Sequence, residues 1–365
     1  MNASNPQLIR DRINNVQHSI DTANREASFE KRRSFSSEKE YALNRKAWKE
    51  NPLQHIVSSY PLHVDLELSS VCNLNCQMCY TVTDEFISTV NPGFMDINLF
   101  KKIVQECAEN QVYSIRLSLR GESLLHKQFT DCIRYAKEKG IKEVSCLTNG
   151  SRLTDKHFAR EIVDAGLDWI TISIDGVGAV YEKIRAPMTF DGITRAVKHL
   201  MEYREKKRAM KPAIKIQGVW PAVKVDLDAY IQTFMPLADL IYTNPLVDYL
   251  NKDALDQIEY LPDFTCYQLF QRLVVSSDGK VLMCANDQMG EEIIGDASTH
   301  RIHEIWHGEK MAHARRVHAD HHYARHYPIC RKCQLPRSRT VENVFVNNRQ
   351  VIIENYKNRC QTIGK

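Results

Sequence analysis

Three cysteines form the most informative group of residues in this chain. Cys72, Cys76 and Cys79 are spaced C-x3-C-x2-C and follow the apolar stretch His63–Leu68, which is predicted to be a strand. Three thiolates can ligate three irons of a 4Fe–4S cluster and leave the fourth iron open to bind a small molecule. A zinc site is the alternative, but zinc usually has a fourth ligand close by, commonly in paired C-x2-C units.

A second group of four cysteines follows in the last third of the chain: Cys266, Cys284, Cys330 and Cys333. The first two flank a predicted β-hairpin with strands Leu273–Val275 and Val281–Met283 around Asp278-Gly279. The last two share a C-x2-C turn. Four thiolates are enough for one fully ligated iron–sulfur cluster or for a structural zinc ion, and spacing alone does not separate the two.

These groups must be positioned by an alternation of strands and helices that begins at His63. The predicted strands are His63–Leu68, Tyr113–Leu119, Glu143–Thr148, Trp169–Ile174, Ala213–Val219 and Leu240–Tyr242. The predicted helices are Ile97–Asn110, Lys127–Lys139, Asp155–Ala165, Phe190–Arg208 and Leu227–Leu237. Six β/α repeats predict a parallel sheet in an α/β fold, with chemistry at the carboxyl ends of the strands.

The flanking segments differ from this alternation. Residues 1–60 are charged, contain no strand pattern, and are predicted to be a helical extension with a helix over Phe29–Glu50 and a turn near Asn51-Pro52. We expect the barrel over residues 61–260, a cysteine-rich unit with a helix at Ile302–Val317 over 261–340, and a tail over 341–365.

Composition excludes several classes of protein. The 365 residues carry a formal net charge of +4 without a long basic block, which argues against a nucleic-acid partner. No apolar run reaches the ~18–20 residues that span a bilayer, and the amino terminus has no apolar core of a secretion signal. Eleven cysteines without such a signal indicate metal ligands in a reducing compartment. We therefore expect a cytoplasmic protein with no membrane partner.

The first cysteine group and the residues at the strand ends resemble the radical S-adenosylmethionine (SAM) superfamily. That family has Gly-Gly-Glu after its second strand, where this chain has Arg120-Gly121-Glu122. The resemblance implies a partial (β/α)6 TIM-like barrel in which the open iron binds the amino and carboxylate groups of SAM. It implies the following cofactor-binding residues: Met78, Tyr80, Gly121, Glu122, Thr148, Asn149, Ser173, Asp175, Arg185 and Gln217.

The second cysteine group resembles the SPASM/twitch extension of the same superfamily, which carries auxiliary 4Fe–4S clusters. A full SPASM pattern continues with two more cysteines soon after Cys333, and the residues around Arg339 supply none. The shorter twitch form fits better, and the spacing is similar to that of its cyclitol dehydrogenase branch. The resemblance therefore implies a small α+β C-terminal domain, two 4Fe–4S clusters in all, and SAM.

The reaction implied by this resemblance is hydrogen abstraction from a small-molecule substrate by a 5′-deoxyadenosyl radical. In an oxidoreductase acting on a carbohydrate or cyclitol alcohol, the auxiliary cluster would accept an electron, and flavodoxin or ferredoxin would reduce the enzyme. Tyr242 and Asp248 are the candidate catalytic groups, and Arg120 is a candidate for holding a substrate phosphate or carboxylate. In a sugar epimerase, Cys146 would return hydrogen. A ribosomal-peptide maturase and a non-catalytic electron-transfer protein are further alternatives.

Overall fold

The computed structural model describes residues 18–247, 250, 254–261, 264–321, 323–359 and 361–363. Within these residues, ten strands form one sheet in the order β1-β7-β6-β5-β4-β3-β2-β8-β9-β10. Their bounds are β1 His18–Ser19, β2 His63–Leu66, β3 Ser114–Arg116, β4 Glu143–Thr148, β5 Trp169–Ser173, β6 Ala213–Val219, β7 Leu240–Asn244, β8 Arg272–Val275, β9 Lys280–Leu282 and β10 Ile293–Asp296.

Strands β2 to β7 are neighbours in chain order and pair in parallel, which confirms the six predicted β/α repeats and the partial barrel. Strand β8 adds a seventh parallel strand, because His63 of β2 pairs with Arg272. The predicted hairpin is confirmed, since β8 and β9 pair antiparallel. The cysteine-rich segment therefore continues the sheet of the barrel.

The described helices agree with most predicted positions. They are Ala23–Ser34, Glu38–Gln54, Asp84–Val90, Ile97–Glu109, Phe129–Glu138, Lys156–Asp164, Gly178–Ile184, Phe190–Lys206, Trp220–Val223, Leu227–Phe234, Gln268–Gln271, Ile302–Trp306, Glu309–Ala319, Tyr323–His326 and Pro328–Lys332. The single helix predicted for Ile302–Val317 is wrong, because it is interrupted at His307-Gly308. No described helix is long and apolar enough to cross a membrane.

The amino-terminal prediction was wrong in three details. A short strand, β1, pairs antiparallel with β7. The single helix predicted for Phe29–Glu50 is two helices, separated where Ser36 has a φ of 68°. The second helix continues through Pro52 instead of turning there. Proline cannot donate to the carbonyl four residues earlier, that of Trp48. This carbonyl accepts a hydrogen bond from Gln271 Nε2 at 2.6 Å, so the helix tolerates the proline.

The two faces of the barrel strands have opposite character. Side chains such as Val64, Ile115 and Ile216 are fully buried in the core shared with the outer helices. Each such burial contributes roughly 1.5–3 kcal/mol. Because side chains alternate along a strand, the residues between them face the barrel interior. Several of these interior residues are charged, as Asp65 and Lys215 show.

The amino-terminal helices close the barrel at the end where the strands begin. The Phe29 ring lies 6.2 Å from the ring of Trp169, the first residue of β5. Arg33 Nη2 lies 3.1 Å from Glu143 Oε1 at the start of β4. This leaves the opposite end, where the strands finish, as the place for chemistry.

The last segment, 341–365, was predicted only as a tail. In the structure, β11 (Arg339–Val346) and β12 (Arg349–Tyr356) form an antiparallel two-stranded sheet. Glu342 accepts a hydrogen bond from Trp220 Nε1 at 2.8 Å. Arg349 Nη2 donates to the carbonyl of Ile20 at 3.0 Å. The hairpin therefore fastens the amino-terminal segment to the end of β6.

Candidate active site

The loop that carries the first three cysteines is held against the end of the second barrel strand. Glu122 N donates to the carbonyl of Val71 at 2.8 Å, one residue before Cys72. Gly121 has a φ of 55°, and a Cβ there would lie 2.5 Å from the carbonyl carbon of Ser70. Only glycine allows this approach.

Glu122 is the centre of a buried hydrogen-bond network. Its carboxylate accepts from Thr148 Oγ1 at 2.7 Å, from Asn149 N at 2.6 Å and from Leu124 N at 3.0 Å. Burial raises the pKa of Glu122, and these hydrogen bonds counteract the rise because they favour the ionised form. The network joins the ends of β3 and β4 and confirms that Glu122, Thr148 and Asn149 lie together.

Asn149 extends this network to the cysteine loop. Its Nδ2 lies 3.0 Å from Asn73 Oδ1 and 3.9 Å from Cys72 Sγ. Its Oδ1 accepts from Ser151 N at 2.9 Å, which fixes the amide plane. The end of β4 therefore lies against the first cysteine.

Asp175 and Arg185 form a second buried group beside the cysteines. Arg185 Nε donates to Asp175 Oδ2 at 2.6 Å, and Asp175 Oδ1 accepts from Val219 N at 2.8 Å. Burial lowers the pKa of Arg185, but the charges of Asp175 and Cys76 outweigh burial and raise it. Asn75 N donates to the carbonyl of Ala186 at 2.9 Å, which ties the cysteine loop to this segment.

Asp175 orients Arg185, because both of its oxygens accept hydrogen bonds within the protein and its side chain is 1% exposed. Direct contact of Asp175 with SAM stays a prediction. Towards the described residues, Arg185 donates through Nε only, so its two terminal nitrogens are available to bind a carboxylate.

The other predicted cofactor contacts lie on two sides of this site. Tyr80, directly after Cys79, is buried with its ring 5.4 Å from that of Phe86. Met78 is half-buried in the loop. Ser173 and Gln217 are paired in register at the carboxyl ends of β5 and β6, and both are half-buried.

The four later cysteines line one pocket. It encloses about 420 Å³ of space not filled by protein atoms, part of it open to solvent, and all of Cys266, Cys284, Cys330 and Cys333 border it. Burial raises the pKa of Cys266 to about 12 and also raises the pKa of the other three thiols. Metal binding must therefore displace their protons.

This donor set has the chemistry of an iron–sulfur site. Four thiols border one pocket, and its other lining includes apolar side chains such as Phe264 and Leu269. Thiolates are the ligands of 4Fe–4S clusters, and four of them can also bind a zinc ion.

A second pocket is bordered by residues from the neighbourhood of both cysteine groups. It encloses about 600 Å³, part of it open to solvent, and it is bordered by Tyr80, the neighbour of Cys79, and by Cys333. Its other lining is largely polar and includes Glu85, Asn286, Asp287, Gln288, Glu291 and Lys332. A small molecule in this pocket would adjoin both cysteine loops.

Sequence comparison identifies both halves of this arrangement. The radical SAM superfamily matches residues 66–209, and an iron–sulfur cluster-binding domain, SPASM, matches residues 266–334. The chain belongs to the radical SAM superfamily and carries a SPASM domain. A radical SAM 4Fe–4S cluster with SAM and auxiliary iron–sulfur binding are therefore features of this family, and both groups of cysteines lie within the matched residues.

Curated relatives of this radical SAM protein match it over part of their length. The tungsten-containing aldehyde ferredoxin oxidoreductase cofactor-modifying protein of Pyrococcus furiosus is 31% identical over 156 residues, 42% of this chain and 42% of that protein. The probable GTP 3′,8-cyclase of Methanococcus maripaludis (strain S2 / LL) is 31% identical over 138 residues, 38% of this chain and 44% of that protein. The chain thus matches less than half of the length of either relative.

Solved structures share its fold. BtrN in complex with AdoMet and 2-DOIA has a TM-score of 0.53 at 18% identity, over 76% of this chain and 94% of that one. SuiB of Streptococcus suis bound to S-adenosylmethionine has a TM-score of 0.54 at 13% identity, over 80% and 77%. AnSMEcpe with bound AdoMet has a TM-score of 0.55 at 15% identity, over 76% and 90%. Identities this low show a common fold.

Two predicted catalytic residues of this radical SAM protein lie away from the site, and a third lies outside the described residues. Cys146, the candidate hydrogen donor of an epimerase, pairs with Ile170 on the face covered by helices and is 1% exposed. Tyr242 packs with Phe29 near the closed end of the barrel, so it is not at the SAM edge. Asp248 lies outside the described residues.

The Arg120 guanidinium forms a two-point ion pair with Glu67, so it is not free to hold a substrate phosphate or carboxylate. Trp220, which follows β6, donates from Nε1 to Glu342. Asn244 at the end of β7 has a buried Oδ1 with no hydrogen-bond partner among the described residues.

Sequence reasoning missed the charged residues of the barrel interior. Asp65, Arg116 and Lys215 alternate with fully buried apolar residues along β2, β3 and β6. A charge at every second position of a predicted buried strand was the signal that could have revealed them, because side chains on one face of a strand recur with a period of two.

Proposed function

We propose that this chain is a radical SAM oxidoreductase that removes hydrogen from a small polar substrate, a carbohydrate or cyclitol alcohol. The observation that carries the proposal is the pocket bordered by both Tyr80 and Cys333. A substrate bound there would lie beside Tyr80, which follows Cys79 in the chain, and beside Cys333 of the second cysteine group. This is the arrangement that a reaction needs if it abstracts a hydrogen atom and then removes an electron.

The lining of the pocket supports a hydroxyl-rich substrate. Carboxylates of Asp287 and Glu291 and amides of Asn286 and Gln288 offer hydrogen-bond acceptors and donors. The pocket also contains one ammonium group, that of Lys332, which lies 3.7 Å from Glu291. Alcohols are recognised by such mixed groups, because each hydroxyl both donates and accepts.

The residues of the site have separate roles in the proposed reaction. When bound, SAM and its cluster supply the radical that removes a hydrogen atom, and the auxiliary cluster supplies an acceptor for one electron. Arg185, oriented by Asp175, would bind the SAM carboxylate, and Glu122 with Asn149 would face its amino group. Glu291 is the pocket carboxylate that would receive the hydroxyl proton, because the buried carboxylate of Asp287 is held by the backbone N–H groups of Glu291 and Glu292. Loss of one hydrogen atom, one proton and one electron converts the alcohol to a carbonyl.

An external reductant is required to start each turnover, and we propose ferredoxin or flavodoxin as the donor. We also propose one auxiliary 4Fe–4S cluster, because Cys266, Cys284, Cys330 and Cys333 border a single pocket. With two clusters in the chain, the electron removed from the substrate has an acceptor inside the protein.

The alternatives are less well supported. A sugar epimerase needs a hydrogen donor at the substrate, and Cys146 is packed under helices. A peptide maturase of this family would use a separate peptide-recognition module, whereas residues 18–60 close the barrel through contacts such as Phe29 with Trp169. Because the chain shares its fold with SuiB, modification of a peptide is included among the outcomes of the test.

The test is an anaerobic assay of reduced, reconstituted protein with SAM and a panel of cyclitols and sugars carrying deuterium on carbon. We expect deuterium in 5′-deoxyadenosine and one carbonyl product for each 5′-deoxyadenosine formed. Solvent deuterium in a recovered alcohol would instead indicate epimerisation. Turnover that depends on a peptide alone would contradict the proposal.

A further inference from the structure

The interior of the barrel contains more cationic than anionic side chains. Asp65 accepts from Arg116 Nε at 2.8 Å and from Arg272 Nη1 at 3.2 Å, and it lies 3.1 Å from His63 Nε2. One carboxylate is thus shared by two guanidinium groups. Lys215 adds a third cation to this interior.

Lys215 has no anionic partner. Its Nζ lies 4.6 Å from the ring centroid of Tyr242 and 5.7 Å from that of Trp169, and its ammonium makes no hydrogen bond or ion pair with any described residue. Aromatic faces stabilise a cation less than a carboxylate partner in an ion pair does. An ammonium held in this way keeps its hydrogen-bond donors available.

Arg116 also has unused donors. Its hydrogen bonds to described residues leave from Nε alone, to Asp65 and to the carbonyl of Ser118 at 3.3 Å. The side chain is 26% exposed although it lies on the interior face of the barrel. Its terminal nitrogens are therefore available to an anion.

The lumen leads from these two cations to the SAM edge. Gln217 follows Lys215 on the same face of β6, and Ser173 lies beside Gln217 in register. Lys215, Gln217 and Ser173 are all half-buried, as expected for side chains that border an internal space. A ligand that enters from the SAM edge can therefore extend down to Lys215.

We propose that the barrel lumen is a subsite for an anionic group of the substrate, a carboxylate or a phosphate, with Lys215 and Arg116 as its two cationic contacts. The proposal rests on the proposed function, because it places the rest of the substrate at the SAM edge. Two converging cations in a space of low polarity bind an anion more strongly than surface lysines do.

The protonation of Lys215 supports this assignment. Burial lowers the pKa of Lys215 to about 7, with further lowering by Arg33 and Arg116 and a smaller opposing effect of Glu30. Tyr242 stays neutral, because burial raises its pKa to about 12. A bound anion favours the ammonium form, so anion affinity should be highest below pH 7 and fall as the pH rises above it.

Equilibrium dialysis of the reconstituted full chain with radiolabelled inorganic phosphate, and separately with succinate, tests the subsite. We expect saturable binding in the millimolar range or tighter for at least one probe. Lys215→Met, which keeps the apolar stem, should weaken it at least about tenfold, and Lys215→Arg should largely restore it. Lys198→Met, at an exposed helix position, is the matched control and should bind like the wild type.

A second variant tests the subsite independently of any effect that Lys215→Met has on folding. Arg116→Gln leaves Asp65 paired with Arg272 and should also weaken the same probe at least about tenfold. The probe that binds more tightly identifies the anion as phosphate or carboxylate. Absence of saturable binding, or equal affinity in Lys215→Met and the wild type, would overturn the subsite.

The outcome is separable from that of the proposed function. Phosphate or succinate binding needs no turnover, whereas the oxidoreductase proposal is judged by deuterium in 5′-deoxyadenosine. Saturable binding lost in Lys215→Met supports the subsite even when no cyclitol is oxidised. Oxidation of a cyclitol together with unchanged binding in Lys215→Met overturns the subsite alone.

Discussion

Arg120 and Glu67 form a buried two-point ion pair at the edge of the SAM site. Arg120 Nε and Nη2 lie 2.6 and 2.5 Å from the two oxygens of Glu67. The same carboxylate accepts from Ser277 N at 2.9 Å, and Arg120 Nη1 donates to the carbonyl of Gln288 at 3.2 Å. The pair thus links the Gly121-Glu122 turn to the cysteine-rich segment. Arginine at a position where the family has glycine has a structural role here.

Replacing Arg120 by methionine should destabilise the fold strongly. Glu67 is 0% exposed and would keep a buried charge without its cation, which costs about 3–5 kcal/mol. Urea unfolding of the reconstituted protein measures the change. Arg134→Met is the control, because Arg134 pairs with Asp131 at the surface and should contribute less than about 1 kcal/mol. Equal losses in the two variants would show that the Arg120 pair is not specially stabilising.

Asp175→Asn should weaken SAM binding without loss of the clusters. The amide cannot accept from both Arg185 Nε and Val219 N in the present geometry, so Arg185 loses its orientation. We expect a dissociation constant for SAM about tenfold higher, since a charge-assisted contact is lost. Equilibrium dialysis measures it, with iron content as the check on cluster retention. Asp131→Asn is the surface control, and wild-type affinity in Asp175→Asn would contradict the positioning role.

Cys146→Ser should leave turnover and product stereochemistry unchanged. The thiol faces the helices together with Ile170, so it cannot reach a substrate in the pocket or lumen. The serine hydroxyl would be buried without a hydrogen-bond partner, and we expect the free energy of unfolding to fall by about 1–3 kcal/mol. Product analysis and urea unfolding measure the two effects. Loss of an epimerised product in this variant would restore Cys146 as a hydrogen donor.

Lys215→Met should stabilise the protein at low pH, because it removes an unpaired interior charge. Burial lowers the pKa of Lys215 to about 7, so between pH 7 and its ordinary value of 10.5 the unfolded chain binds the extra proton. Stability of the wild type must then rise with pH through this window relative to the variant. Unfolding free energies at pH 6.5 and 9 measure the difference. A difference that does not shrink at pH 9 would contradict the assigned pKa.

The sequence predicted the barrel because its signals were local. Strand β4 (Glu143–Thr148) and strand β6 (Ala213–Val219) have the predicted bounds, since Asn149-Gly150 follows β4 and Pro212 precedes β6. Glu122, Thr148 and Asn149 meet as expected, because the carboxyl ends of parallel strands share one edge. Periodicity and turn chemistry were sufficient for these features.

The remaining features depend on tertiary packing. The face that Cys146 presents is set by register against Ile170, and one residue of shift would reverse it. The carbonyl of Trp48 accepts a hydrogen bond from Gln271, which is more than two hundred residues away in the chain. This bond allows the helix to continue through Pro52. Such pairings are invisible to a pattern of nearby residues. The same is true of the aromatic contacts that hold Lys215 without an anion.

Iron and sulfide content with Mössbauer spectra after anaerobic reconstitution tests the central claim of two clusters on either side of one substrate pocket. We predict about eight irons per chain in the wild type. We predict about four in Cys72/Cys76/Cys79→Ala, and about four in the variant with Cys266, Cys284, Cys330 and Cys333 replaced by alanine. About four irons in the wild type, none in the first variant, and zinc retained by the later cysteines would contradict the account.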